Sequence, residues 1–265
     1  MSINSPYAVP VAKFFPWKTV LYNEYMPTGR WSKESPGPKN QKYTGSVTSK
    51  SSNLIRDAIQ LLDFITPERT IYDDILQRSM SFKLSFITLT LSGSQKHKDS
   101  YITSKLLRPF LRHFQSNGTM HNYVWKAEKQ KNGNIHYHII SDAYVNYTIC
   151  LNYWNRIQSR LDYIDDFYDK HGHNSPNSVD IRKVTSRKDL SKYLAKYVSK
   201  NGEKITGKVW DCSHRLHNFQ PHAVAIDNHV YDRINTIASH PNSVKVEYDY
   251  CTIIYHDTSL FQGVI

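Results

Sequence analysis

The sequence predicts an α+β fold built on an antiparallel sheet, and three observations carry that expectation. From Phe82 onward, candidate strands and helices follow in the order β, α, β, β, α, β, α. Two adjoining extended runs flank Lys131-Asn132-Gly133, a hairpin signal that sets neighbouring strands antiparallel. Hydrophobic residues make up 39% of the 265-residue chain, with 19 Tyr, 10 Phe and 5 Trp, which is enough apolar surface for a core. A doubly wound parallel sheet would place a helix between successive strands, and the hairpin excludes it.

Residues from Met1 to about Lys50 are rich in Pro, Gly, Ser and Lys and show no sustained period, so they are expected to drape over the core as an arm. Asn53 to Phe64 repeats apolar residues at helical spacing, and Thr66-Pro67 stops the run. Phe82 to Ser92 is β-branched and aromatic and ends at Gly93, as a strand should. Ser100 to Gln115 is helical in pattern, with Pro109 set to bend or break it. Tyr123 to Lys129 and Asn134 to Ser141 form the hairpin, Thr148 to Leu161 an amphipathic helix, Ser178 to Val184 a strand and Arg187 to Lys200 a helix. Beyond Gly207 the pattern supports a helix near Tyr231 to Ala238 and a strand within Val244 to Tyr255. The chain is accordingly divided into an N-terminal extension at 1–78, a core at 79–205 and a C-terminal elaboration packed on the core at 206–265.

Lysine and arginine number 34 against 23 acids, a net charge of +11 that makes nucleic acid the first partner to consider. Three dispersed cysteines form neither a disulfide framework nor a CxxC zinc site. No apolar stretch approaches the about 20 residues of a membrane span. The N-terminus is broken by prolines and a lysine where a signal peptide would carry an apolar core, so no membrane partner is expected and the location is read as cytoplasmic.

The second hairpin strand contains His136-Tyr137-His138, and residues two apart on a strand point to the same side. Both imidazoles therefore project from one face and can grip a metal. With 13 His in the chain, chance alone gives roughly 0.6 such triplets, and His171-Gly172-His173 is a second one. A third ligand strengthens the first triplet. If Lys131, Asn132 and Gly133 form a three-residue loop with a G1 bulge, Glu128 pairs with His136 and faces the histidines. A two-residue Asn132-Gly133 turn would instead put Glu128 on the opposite side. Two imidazoles and a carboxylate leave coordination positions open, which suits a divalent ion such as Mg²⁺ or Mn²⁺ on a phosphate oxygen.

In the helix from Arg187 to Lys200, Leu190, Leu194 and Val198 form an apolar face and Lys188, Lys192, Lys196 and Lys200 a basic stripe. Tyr193 and Tyr197 lie between the two, one turn apart, where each could reach the same phosphodiester. A lysine stripe alone is usually a solvated face, and tyrosines beside an apolar stripe are usually partial core. A phenol with a pKa of about 10 is ionised about once in a thousand at pH 7, a deficit of about 4 kcal/mol for a nucleophile. A nearby ammonium and a metal-neutralised phosphate offset much of it.

With these residues in order, the chain resembles the HUH rolling-circle replication initiators, especially the two-tyrosine type of small single-stranded DNA phages (Microviridae) and related plasmids. The resemblance rests on FITLT at Phe86 to Thr90, IHYHII at Ile135 to Ile140 and YLAKYVSK at Tyr193 to Lys200, supported by WKAEKQKNG, YWNRIQ and PNSVDI. It implies a ferredoxin-like nuclease with a metal site on a central antiparallel sheet flanked by helices. It makes His136 and His138 the metal ligands, Glu128 the upstream polar ligand, and Tyr193 and Tyr197 the paired nucleophiles; the spacing of the stripe itself sets Lys196 and Lys200 beside the tyrosines and leaves Lys188 and Lys192 for DNA phosphates. The expected activity is nicking and rejoining of single-stranded origin DNA through a 5′-phosphotyrosine, with helicase and polymerase supplied by the host. Open alternatives are a transposase or mobilisation relaxase with the same residues, a non-catalytic basic nucleic-acid-binding protein, and a phosphodiesterase that uses water.

Overall fold

A computed structural model describes residues 8–25, 45–73, 77–184, 190, 193 and 204–261. Among them the strands run in chain order β1 (Ala8–Phe15), β2 (Lys18–Tyr25), β3 (Arg69–Asp73), β4 (Arg78–Phe82), β5 (Leu84–Thr90) and β6 (Tyr123–Lys129), then β7 (Ile135–Ser141), β8 (Val179–Val184), β9 (Trp210–Cys212), β10 (His222–Ala225), β11 (Val244–Glu247) and β12 (Cys251–Tyr255). The protein is α+β with antiparallel sheets, and it separates into two compact units, 43–218 and 1–42 with 219–265.

The larger unit holds a five-stranded antiparallel sheet in the order β8-β5-β7-β6-β9. Between β5 and β6 lies a helical segment from Asp99 to Ser116, and between β7 and β8 lies the helix Tyr147–Ser159, so the chain runs βαββαβ from β5 to β8. Both helices bury their apolar stripes on one face of the sheet. Ile102, Leu106, Phe110 and Trp154 join Ile87, Leu89, Tyr137 and Ile139 in a single core. Strand alternation then turns Thr88, His136 and His138 to the other face. The segment 99–116 is not a uniform helix. Thr103–Leu107 form a π turn before Pro109, at the start of the next α turn, and the wider turn absorbs the missing proline N–H.

Buried polar side chains from Tyr147–Ser159 fasten the sheet from the core side. Trp154 donates Nε1–H to the Thr90 carbonyl at 2.8 Å, the Ser92 N–H donates to Gln158 at 2.9 Å, and Asn155 donates to the Pro176 carbonyl at 2.9 Å. These three bonds hold the end of β5 and the entry to β8. They give the YWNRIQ stretch a structural role that its sequence pattern does not reveal.

The smaller unit is a second five-stranded antiparallel sheet, β10-β1-β2-β12-β11. The helix Asn228–Ala238 packs Ile234 and Ile237 on Ala12, Phe14 and Ile254. This differs from the expected division of the chain. The N-terminal stretch is not an arm where it is described but a hairpin, β1 and β2 paired from Ala8↔Tyr25 to Phe15↔Lys18. Residues 45–73 and 204–218 belong to the unit that carries the main sheet, and the C-terminal stretch pairs with the N-terminal one. The cause is long-range pairing: β1 finds its partner β10 some two hundred residues away, and local periodicity carries no record of that. Of the helix expected over Arg187 to Lys200, Leu190 and Tyr193 are helical. Lys188, Lys192, Lys196, Tyr197 and Lys200 lie outside the described residues. Among the described residues no helix is long and apolar enough to cross a membrane.

Candidate metal centre

The β6–β7 hairpin decides which side chains meet. The Gln130 N–H donates to the Asn134 carbonyl and the Gly133 N–H to the Gln130 carbonyl, and Gly133 sits at φ +82°, a left-handed conformation that glycine alone takes without a Cβ penalty. This three-residue loop sets the register Glu128↔His136 and Lys126↔His138, so all four side chains share one face. Of the two turns that the sequence left open, it is the one that brings Glu128 to the histidines.

The resulting cluster is tight. Glu128 Oε2 lies 3.4 Å from His136 Nε2 and 3.3 Å from His138 Nε2. The three ligand atoms all fall within 4.8 Å of one another, so the cluster could hold a metal ion. The donor set fits a divalent ion: two neutral imidazole nitrogens and one carboxylate oxygen converge from one sheet face and leave the remaining positions to other ligands. The second carboxylate oxygen, Oε1, accepts from Lys126 Nζ at 3.0 Å, and that lysine side chain is only 2% exposed. Lys126 therefore fixes the carboxylate so that one oxygen points at the imidazoles.

Cross-strand neighbours orient the ring of His138. Thr88, opposite it on β5, places Oγ1 3.2 Å from Nδ1. With the proton on Nδ1, the bond to Thr88 leaves the Nε2 lone pair facing Glu128, the tautomer a metal ligand needs. Thr88→Val, which keeps the shape and removes the acceptor, is expected to weaken Mn²⁺ affinity about 10- to 100-fold, measured by calorimetric titration at fixed pH. Unchanged affinity would mean that packing alone orients the ring.

Without an ion, when the imidazole Nε2 atoms carry the protons, burial would raise the Glu128 carboxyl, but hydrogen bonds from His136 and His138 and the charge of Lys126 outweigh it and hold the group well below the usual carboxylate range. A carboxylate depressed in this way stabilises the fold at pH values above its ordinary pKa and loses that contribution only as pH falls through the depressed one. Glu128→Gln is thus expected to lower the denaturation midpoint at pH 7 and to converge with the parent only in strong acid. Melting curves across pH check this, and a gap that closed near about pH 4 would contradict it.

Phe86, on the same face of β5, links the cluster to Tyr193. Its ring stacks with His138 at 5.3 Å and with Tyr193 at 4.2 Å. Tyr193 is half-buried. Structure thus brings Glu128, His136, His138 and the ring of Tyr193 into one neighbourhood. Lys126, Thr88 and the linking role of Phe86 were missed by sequence reasoning. The two-residue period that united the histidines would have found Lys126, two residues before Glu128, whereas Thr88 required the β5–β7 register.

Residues 84–202 match the family model of the replication-associated protein ORF2. The matched stretch is a little under half of the chain, and it spans β5, the hairpin with Glu128, His136 and His138, and both tyrosines. The match supports a part in DNA replication. Among solved structures, a crystal structure of the hypothetical protein ORF119 from Sulfolobus islandicus rod-shaped virus 1 is similar over 56% of this chain and 97% of that one, at 16% identity and a TM-score of 0.29, a likeness that carries no fold assignment. No curated protein matches the chain.

Proposed function

We propose that this protein is an HUH-type replication initiator that nicks single-stranded origin DNA by tyrosine transesterification and rejoins it to release circles in rolling-circle replication. The convergence of Glu128, His136 and His138 on one sheet face, within a stretch similar to replication-associated proteins, is the observation that carries the reading. The βαββαβ run with strand order β8-β5-β7-β6 supports the ferredoxin-like form of the nuclease.

Glu128, His136 and His138 would hold a Mg²⁺ or Mn²⁺ ion, whose chemistry is to neutralise charge on a phosphodiester oxygen. Lys126 balances the charge of Glu128, so a loaded site keeps the ion's full positive charge for an anionic ligand. Tyr193 or Tyr197 attacks phosphorus through its phenol oxygen. The phenol loses its proton, the P–O bond forms, and the 3′-oxygen leaves and takes up a proton to become a free 3′-OH for a host polymerase. Lys196 and Lys200, each three residues after a tyrosine, favour the phenolate, while Lys188 and Lys192 hold backbone phosphates. Once a replication round regenerates the origin, the second tyrosine cuts it, and the released 3′-OH attacks the first phosphotyrosine to close the circle. Unwinding falls to a host helicase, in the bacterial cytoplasm. Cleavage of single-stranded origin oligonucleotides with Mg²⁺, with Mn²⁺ and with EDTA tests this. Product formed only with a divalent ion is expected, and equal cleavage in EDTA would remove the metal from the reaction.

A further inference from the structure

We propose that the helical layer of the larger unit, on the opposite side of the main sheet from the metal centre, is a binding surface for double-stranded DNA. The segment Asp99–Ser116 exposes Lys105, Arg108 and Arg112, and the helix Tyr147–Ser159 exposes Arg156, followed by Arg160. The three cations of the first segment recur every three or four residues, about one per 5.4 Å turn, along the face turned away from the core residues Ile102, Leu106 and Phe110. No exposed acid interrupts them. Asp99, the one acid in either segment, is buried and held by Lys129 at 2.6 Å. Among the described residues none of the five cations is ion-paired.

The aromatics of this surface say which polyanion it takes. Tyr153 is stacked on His113 with ring centroids 3.8 Å apart and is covered by the Arg156 guanidinium at 4.8 Å. Tyr101 is stacked on His97 at 5.0 Å and has Lys105 Nζ 5.9 Å from its centre. Single-stranded nucleic acid is gripped by open aromatic faces on which bases stack, whereas here Tyr153 and Tyr101 each have a histidine stacked on the ring and a cation beside it, and Tyr147, 40% exposed, is tied through its hydroxyl to Asn177. What remains is an array of cations on two helices packed on one core, which suits the phosphates of a duplex whose bases are already stacked. A duplex seated there leaves the metal face open to a single strand. The inference borrows from the proposed function only the identity of the polyanion, and its test reads binding, not cleavage.

The test compares the full chain with the variant Lys105→Gln, Arg108→Gln, Arg112→Gln, Arg156→Gln by fluorescence anisotropy, using a short duplex and a single strand of equal length over about 50–200 mM salt. Each lost phosphate contact removes about 0.9 from the log–log salt slope, so the variant's duplex slope should shrink by about 2–4 while Mn²⁺ affinity and single-strand binding stay the same. If the fourfold variant fails to fold, Lys105→Gln with Arg112→Gln should shrink the slope by about 1–2. An unchanged duplex slope in a folded variant overturns the inference. So does an equal loss for the single strand, or loss confined to binding of anionic lipid vesicles. If the parent never nicks DNA but the duplex slope falls as expected, the surface stands and the proposed enzyme does not.

Discussion

Alanine at His136, at His138 or at both is expected to slow strand cleavage by about a thousandfold while sparing most of the DNA affinity. The two quantities separate because they rest on different atoms. In the proposed mechanism cleavage needs the ion that neutralises the phosphodiester, a contribution of several kcal/mol, and about 4 kcal/mol corresponds to that factor. Binding to the backbone is assigned by the same proposal to lysines and arginines, which the substitutions leave in place. His138 is the more telling position, since it also stacks on Phe86, so His138→Asn serves as a control that returns part of the side-chain volume without an imidazole. Single-turnover rates and anisotropy on one preparation check the separation. Cleavage by the double alanine variant at the parent rate would remove the metal centre from the mechanism.

Loss of both phenol oxygens should be as severe. Tyr193→Phe combined with Tyr197→Phe is expected to abolish the covalent adduct, whereas at least one single variant keeps a first nick. Phenylalanine preserves the ring that stacks 4.2 Å from Phe86, so a loss at Tyr193 reports the oxygen and not the packing. Residues four apart lie nearly above one another on a helix, so the proposed mechanism has either phenol reach one phosphate. Repeated release of unit-length circles needs two successive attacks, and both single variants should fail there. Nicking by the double variant would make water or another side chain the nucleophile. If one tyrosine alone matters in both assays, the other is a packing residue.

How far the sequence disclosed all this depended on the range of the interactions. The hairpin was legible because its turn residues and its alternation are local, but which of two loops closes it was not, and the three-residue loop is what sets the Glu128↔His136 register. The helix Tyr147–Ser159 was legible from its amphipathic period, but not the use of Trp154, Asn155 and Gln158 as clamps on β5 and β8, since those partners lie 21 to 66 residues away. The π turn at Thr103–Leu107 was visible only as an awkward proline. The strand pairing of the two chain ends was not legible at all: β1 and β2 meet at a turn that holds Pro16, and they complete their sheet with residues beyond 219, far outside the reach of a local pattern. At the candidate metal centre, sequence spacing put His136 and His138 on one face, and the fold brought Glu128 to them and added Lys126 and Thr88 around the cluster.

The central claim is that a tyrosine attacks a phosphodiester held at the Glu128, His136 and His138 cluster. A single-stranded origin oligonucleotide labelled at its 3′ end, incubated with protein and Mn²⁺ and then denatured, tests it most directly. The label should migrate with the protein in an adduct that resists denaturant, while a 5′ label is released on a fragment ending in a free 3′-OH, and EDTA should prevent both. Fragments cut without any label on the protein would contradict the claim and point to hydrolysis by water.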